Sequence, residues 1–330
     1  MNQACNEFWH GGAVSGGNRW FDKSVQILVS KNGRVAYQGE HSMVDAAPIL
    51  TVIRRILKTT HGRLSKKFKD YGDVNQEYVQ SGVTSVFEDC WNDPNLLQKV
   101  RQDTENAREH HNQVTSQFEI ETIQFTDFGK IQTKKWGYNG CIMAQMAIQL
   151  AGYQLFGEMV GCYESASTRG FLHGRTETTR PVSPETLDFV QAMSDESLTS
   201  ADKMAAFNQA ILAVTEYQAS ATAGKGVDRH LFGLETMLQE GEEAPKLFSD
   251  PLFQRAKTYR LSTSSVVFTP GFGPVHEKGV GIGFNAEKDS ITFIVTSRKE
   301  NNYATPLCRL LAEALKEIGG IIEAAHTSES

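Results

Sequence analysis

Tyr163-Glu164-Ser165-Ala166-Ser167-Thr168, followed after four intervening residues by His173-Gly174-Arg175-Thr176-Glu177-Thr178-Thr179-Arg180-Pro181, is the stretch on which the reading of this chain turns. It is dense in hydroxyl, carboxyl and guanidinium groups. By residue content it is too rich in Ser, Thr and Arg for a core element and describes a capped surface loop. The same Tyr, Thr and Arg groups are equally able to converge on a carboxylate ligand, because hydroxyls and a planar guanidinium fork are the donors a carboxylate accepts.

Working outward, residues 141–156 upstream form an apolar helix, preceded by an alternating strand over 118–125 and a charged helix over 95–114. Downstream, helices are expected near 184–194, 200–221 and 227–239, then alternating segments at 259–268, 278–285 and 290–298 that close a sheet, then an amphipathic helix over 303–318. Near the start, 24–30 and 34–38 read as strands around Lys31-Asn32-Gly33, an Asn-Gly turn suited to a hairpin. After Pro48, Ile49, Val52, Ile53, Ile56 and Leu57 recur at helical spacing. The polar stretch 58–93, with Lys66-Lys67-Phe68-Lys69, reads as a solvated loop. Strands and helices intermix throughout, which predicts an α/β fold with mixed sheets flanked by helices.

Composition narrows the function classes. With 33 Lys and Arg against 39 Asp and Glu, the net charge of −6 argues against a general nucleic-acid binder. The 5 cysteines (Cys5, Cys90, Cys141, Cys162, Cys308) are odd in number and lack metal-ligand spacing, so neither a disulfide framework nor a zinc site is expected, and no metal is implied. No apolar run reaches the roughly 18 residues a membrane-spanning helix needs, and peripheral membrane association stays open.

His41 leaves a strand directly after Glu40, with Asp45 four positions on. Imidazole suits proton transfer near neutral pH, and a carboxylate can fix its tautomer. The spacing alone describes a structural histidine as readily as a general base.

Several blocks together say more. Asn18-Arg19-Trp20-Phe21-Asp22-Lys23-Ser24, then Asn32-Gly33, then Glu40-His41-Ser42-x-x-Asp45-Ala46-x-Pro48 resemble the active-site histidine block of the carnitine/choline acyltransferase family. The Tyr163–Thr168 and His173–Pro181 blocks are similar to that family's longest signature. Asp228-Arg229-His230-Leu231-Phe232-Gly233-Leu234, Ser262-Thr263-Ser264 and Gly271-Phe272-Gly273-Pro274 follow in the family's order. The Glu-His-Ser-x-x-Asp wording looks most like the palmitoyl-transferring members.

The resemblance implies a coenzyme A-dependent acyltransferase fold, related to chloramphenicol acetyltransferase, in two domains. Residues 1–95 would be the C-terminal remnant of the first, histidine-bearing domain, and 96–330 the second, which binds coenzyme A and carnitine. Family members extend far upstream, so the chain resembles a C-terminal portion, missing the N-terminal half of its own fold and expected to be poorly soluble or nearly inactive alone.

The implied activity is reversible transfer of a medium or long fatty acyl group between coenzyme A and carnitine, with acyl-coenzyme A as co-substrate and no permanently bound cofactor. The implied roles are His41 as general base, supported by Asp45, and Ser264 as oxyanion donor. Tyr163, Thr176, Arg229, Ser165 and Ser262 would hold carnitine, and Lys130, Lys134 and Glu164 would bind coenzyme A. Asn139-Gly140-Cys141 replaces the family's usual Ser-Pro-Asp, so an Asp that would assist coenzyme A binding is missing. A mitochondrial setting in fatty acid metabolism follows from the palmitoyl likeness. The rival readings are a choline acyltransferase, and a non-catalytic binding protein that keeps the site residues without the reaction.

Overall fold

The computed structural model describes residues 2–67, 92–265 and 271–328. They fall into two compact units, Asn6–Ser116 and Gln117–Ser330, the second also holding Met1–Cys5.

In the first unit, α1 (Asn2–Trp9, begun in the other unit) and the short α2 (Gly12–Ser15) lead to a two-stranded antiparallel sheet of β1 (Gln26–Val29) and β2 (Val35–Gln38). The Asn-Gly turn is where the sequence predicts it. Ser30 N donates to Arg34 O at 2.9 Å, and Gly33 sits at φ 79°, a left-handed setting that glycine adopts without steric penalty. Two 22-residue helices are also described in this unit, α3 (Ala46–Lys67) and α4 (Pro94–Thr115). Asp93 caps α4 by accepting from the backbone N–H groups of Asn95 and Leu96, and Pro94 takes the first helical position, where a missing N–H costs nothing. Helix α3 continues ten residues past Leu57, so Lys66 and Lys67 end a helix rather than start a loop; Phe68 and Lys69 lie outside the described residues.

The second unit is built on a six-stranded mixed sheet in the order β3-β8-β7-β6-β4-β5. The strands are β3 (Phe118–Phe125), β4 (Cys162–Ser167), β5 (Thr176–Thr179), β6 (Leu261–Ser265), β7 (Val280–Ala286) and β8 (Ile291–Arg298). The pairs β4/β6 and β6/β7 are parallel and the other three antiparallel. Between the strands lie α5 (Lys130–Lys135), α6 (Gly140–Phe156), α7 (Pro184–Ser194), α8 (Ser200–Thr222), α9 (Asp228–Thr236), α10 (Lys246–Ser249) and α11 (Pro251–Ala256), and α12 (Ala304–Ser328) closes the chain. The mixed sheet flanked by helices is the architecture the sequence predicts.

Helix α6 supplies the centre of the core. Met143, Met146, Ile148 and Leu150 are fully enclosed and pack with Phe189, Phe207, Ile282, Phe284, Phe293 and Leu311. Enclosing an aliphatic or aromatic side chain of this size contributes about 1.5–3 kcal/mol. Helix α12 runs ten residues beyond the expected end at 318, because Ile318, Ile321 and Ile322 continue its buried face.

A second sequence expectation is overturned. Residues 163–168 and 176–180, which by composition describe a surface loop, include most of β4 and all of β5, with β4 placed inside the sheet beside β6. Glu164, Glu177, Thr178 and Thr179 are buried there. Strand pairing satisfies the backbone polar groups, so polar content in the side chains does not forbid burial of a strand.

Candidate active site

Side chains alternate across a strand, and this sorts the central strands into two faces. On β4, Cys162, Glu164 and Ala166 point to one side, Tyr163, Ser165 and Ser167 to the other. The first side is roofed by α6: the side-chain amides of Gln145 and Gln149 donate to Cys162 Sγ at 3.4 and 3.2 Å. On β6, Thr263 and Ser265 share that roofed side, and Ser265 Oγ lies 3.2 Å from Cys141 Sγ at the start of α6.

The parallel register sets Tyr163 beside Ser262 and Ser262 beside Gly281, while Ser264 stands beside Gly283. Tyr163, Ser165, Ser262 and Ser264 therefore share the face that α6 does not cover. Thr263 Oγ1 donates to the Tyr163 carbonyl at 2.7 Å, tying the two strands at this level. Part of the open face is crossed by the segment after the undescribed residues 266–270. A Cβ on Gly281 would lie 2.7 Å from the Phe272 carbonyl oxygen, and Thr296 Oγ1 donates to that same oxygen. Only a glycine permits this close passage.

Tyr163, Thr176 and Arg229 come from β4, β5 and the first turn of α9, and the structure brings them together. Arg229 Nη2 lies 3.3 Å from Tyr163 Oη and 3.5 Å from Thr176 Oγ1, and its Nε lies 3.4 Å from the Thr176 carbonyl. The guanidinium carbon sits 5.9 Å from the centroid of the Tyr163 ring. All three hydrogen bonds are at the long, weak end of the range, so the fork is held in place but not saturated. Two hydroxyls and an uncommitted guanidinium around one point make a donor set for an anion with planar oxygens.

Sequence reasoning missed the groups that hold this trio. Glu177, buried in β5, accepts from Arg229 N at 3.2 Å and Thr178 N at 2.7 Å, so its carboxylate sits at the start of α9, where the helix dipole favours negative charge. Arg180, just after β5, forks onto both oxygens of Asp228, its Nε at 3.2 and 3.0 Å. Arg180 Nη1 also donates to the Ala256 carbonyl at 2.7 Å, and Tyr259 Oη donates to Asp228 at 3.1 Å. Burial lifts the Tyr259 phenol to about 12, so it stays a donor. Asp228 and Arg180 are 48 positions apart, and nothing local in the sequence marks such a pair.

Glu164 is enclosed on the roofed face, where burial lifts its carboxyl to about 7. Burial likewise pushes the Cys162 thiol up to about 12, leaving it protonated and inert as a nucleophile. Lys130 and Lys134 stand on α5, a six-residue helix, both exposed and one turn apart, so both ammonium groups face the same side. Among the described residues no His, Cys, Asp and Glu cluster could hold a metal ion.

In the first unit His41 follows β2. Its imidazole is 72% exposed and its Nδ1 lies 3.8 Å from Asp45 Oδ1, beyond hydrogen-bond length. Glu40 turns back on Ser42, accepting from its N–H at 2.9 Å and its hydroxyl at 2.6 Å. These bonds hold the Glu40 carboxyl below its ordinary range.

The sequence pattern of the family described as Choline/Carnitine O-acyltransferase matches residues 1–316. The chain belongs to this family. It is 30% identical to the human carnitine O-acetyltransferase over 98% of its own length and 51% of that protein's. It is also 30% identical to the mitochondrial carnitine O-acetyltransferase of Saccharomyces cerevisiae, covering 98% of this chain and 48% of the relative. To the choline O-acetyltransferase of Sus scrofa it is 31% identical, over 94% of this chain and 49% of that one. The chain thus spans about half the length of the curated relatives it matches. Among solved structures, a chloramphenicol acetyltransferase aligns with 60% of this family member at a TM-score of 0.34 and 10% identity, too distant to add to the family match.

Proposed function

We propose that this chain carries out, or supplies half of the site for, acyl transfer between coenzyme A and the 3-hydroxyl of carnitine. The observation that supports this reading most is the convergence of Tyr163, Thr176 and Arg229. Carnitine carries a carboxylate and choline does not, so a guanidinium with two hydroxyls has a purpose only with carnitine. Ser165 and Ser262, on the same open face, would complete that pocket. Lys130 and Lys134 would neutralise phosphate of coenzyme A, and Glu164 would lie along its path.

In the proposed reaction His41 removes the proton of the carnitine hydroxyl. The oxygen attacks the thioester carbonyl carbon, and Ser264 donates a hydrogen bond to the developing oxyanion. Collapse of the tetrahedral intermediate breaks the carbon–sulfur bond, and the departing thiolate takes the proton from His41. Asp45 would steady the imidazolium between these steps. Residues 1–95 would be the C-terminal part of a first acyltransferase domain and 96–330 a second. The relatives named above are acetyltransferases. We nevertheless propose medium or long acyl groups here, as in the palmitoyl-transferring members, because Gly271 stands before Phe272 where acetyl-specific members carry bulk. A mitochondrial setting in fatty acid metabolism is the proposed one.

The test is an acyltransferase assay with free-thiol detection on the purified chain, offering carnitine and choline in parallel. Acyl transfer or tight binding selective for carnitine supports the reading; equal handling of choline removes it.

A further inference from the structure

Arg229 lies on the first turn of α9, where a helix end is free to fray unless something fixes it. Asp228, its immediate neighbour, has a largely buried side chain, as does Arg180 to a lesser degree. The Arg180 fork reaches both Asp228 oxygens, the Ala256 carbonyl at 2.7 Å and Tyr259 Oη at 3.1 Å. Tyr259 in turn packs its ring on Tyr163, centroids 5.5 Å apart. One guanidinium therefore joins the end of β5, the start of α9, the end of α11 and the approach to β6. Each member of the carboxylate-binding trio hangs from this hub: Arg229 by one peptide bond, Thr176 on the same short strand as the Arg180 approach, Tyr163 by ring contact.

We propose that the Arg180–Asp228 pair is a positioning device that aims the Arg229 guanidinium at the acceptor's carboxylate. The proposal rests on the carnitine reading given above and adds to it two residues that do not touch substrate. The pair has the traits such a role requires. It is bidentate, which fixes direction as well as distance, and Lys cannot reproduce the fork. It is also shielded from solvent, so the attraction is little screened. Asp228 is committed to Arg180 and Tyr259 rather than to the Arg229 guanidinium.

The test is a double-mutant cycle read by calorimetric binding of carnitine and choline to the full chain, with Asp228→Asn, Arg229→Ala and the double variant. Asp228→Asn is expected to weaken carnitine roughly tenfold or more, as displacement of a binding group does, and to leave choline unchanged. In the Arg229→Ala background the same substitution is expected to do nothing further, because its effect passes through Arg229. A full-sized Asp228→Asn effect without Arg229, or no effect with it, overturns the proposal. Arg180→Lys repeats the cycle with charge kept and the fork lost, and settles the matter if Asp228→Asn lowers the melting temperature sharply. If Arg229→Ala leaves carnitine binding untouched, the carboxylate reading itself fails and this proposal falls with it.

Discussion

Tyr163 and Ser262 stand side by side across the parallel strands β4 and β6. That single register point places Tyr163 with Ser262 and Ser264 on one face of one sheet. A slip of one residue would turn Tyr163 under α6 and bring Glu164 out, so the register decides which groups can meet a ligand. Thr263 guards it from the roofed side through its bond to the Tyr163 carbonyl.

Ser264 is expected to act on rate rather than affinity. Ser264→Ala removes one hydroxyl from the open face and should lower kcat by about 10²-fold, the usual effect of losing one oxyanion donor, with KM for carnitine little changed. Steady-state kinetics with carnitine varied checks this. A matching rise in KM with kcat preserved would make Ser264 a binding group instead.

Arg229→Asn combined with Thr176→Val should act in the opposite way. A carboxylate would lose a charged donor and a hydroxyl, each worth roughly 1.5–3 kcal/mol when ionic hydrogen bonds are involved. Carnitine affinity should fall by two orders of magnitude or more on that basis, with choline affinity unmoved. Equal losses for both acceptors would show that the trio does not read a carboxylate.

Much of this was legible in the sequence, and the exceptions have physical causes. The helices α6, α7 and α8 follow from apolar periodicity and caps, such as Ser183 before Pro184 and the Thr199–Asp202 capping box. The strands β4 and β5 were not legible by composition, since Glu164, Ser165, Thr178 and Thr179 carry no apolar alternation; only the family resemblance singled them out. The resemblance implies roles for the trio but none for its supports Glu177, Arg180, Asp228 and Tyr259. Their partnerships span long sequence separations and exist only once α9 and β5 are placed.

His41→Ala should abolish transfer, by 10²–10⁴-fold on the usual scale of general base removal, while carnitine binding persists because no binding donor is lost. Asp45→Asn should cost less, since the carboxylate is 3.8 Å from Nδ1 and only steadies the ring. Calorimetry beside turnover separates the two effects. Substantial turnover in His41→Ala would end its assignment as base.

Gly271 sits near Ile294 and Ile120, where an added Cβ would make ordinary contacts at 3.6 and 4.0 Å. Alanine should therefore be tolerated, whereas methionine would fill space along this part of the open face. Gly271→Met is expected to shift preference from octanoyl- or palmitoyl- toward acetyl-coenzyme A. The measurement is relative kcat/KM for the three donors. An unchanged ranking would place the acyl group elsewhere.

Glu164 should make stability depend on pH near neutrality. Its folded carboxyl titrates near 7, against an ordinary value of 4.5, because burial disfavours the charged form. Between those values the folded chain binds more protons than the unfolded one, so stability falls as pH rises. The contribution is fully present below about pH 4.5 and is lost as pH passes through 7. At about 1.4 kcal/mol per unit, the loss is on the order of 3 kcal/mol at most. Glu164→Gln keeps the shape and cannot ionise, so its melting temperature should overtake that of the parent as pH is raised from 5 to 8. Parallel curves for parent and variant across that range would mean that Glu164 reaches solvent or a cation when it ionises, and its enclosure under α6 would no longer explain its titration.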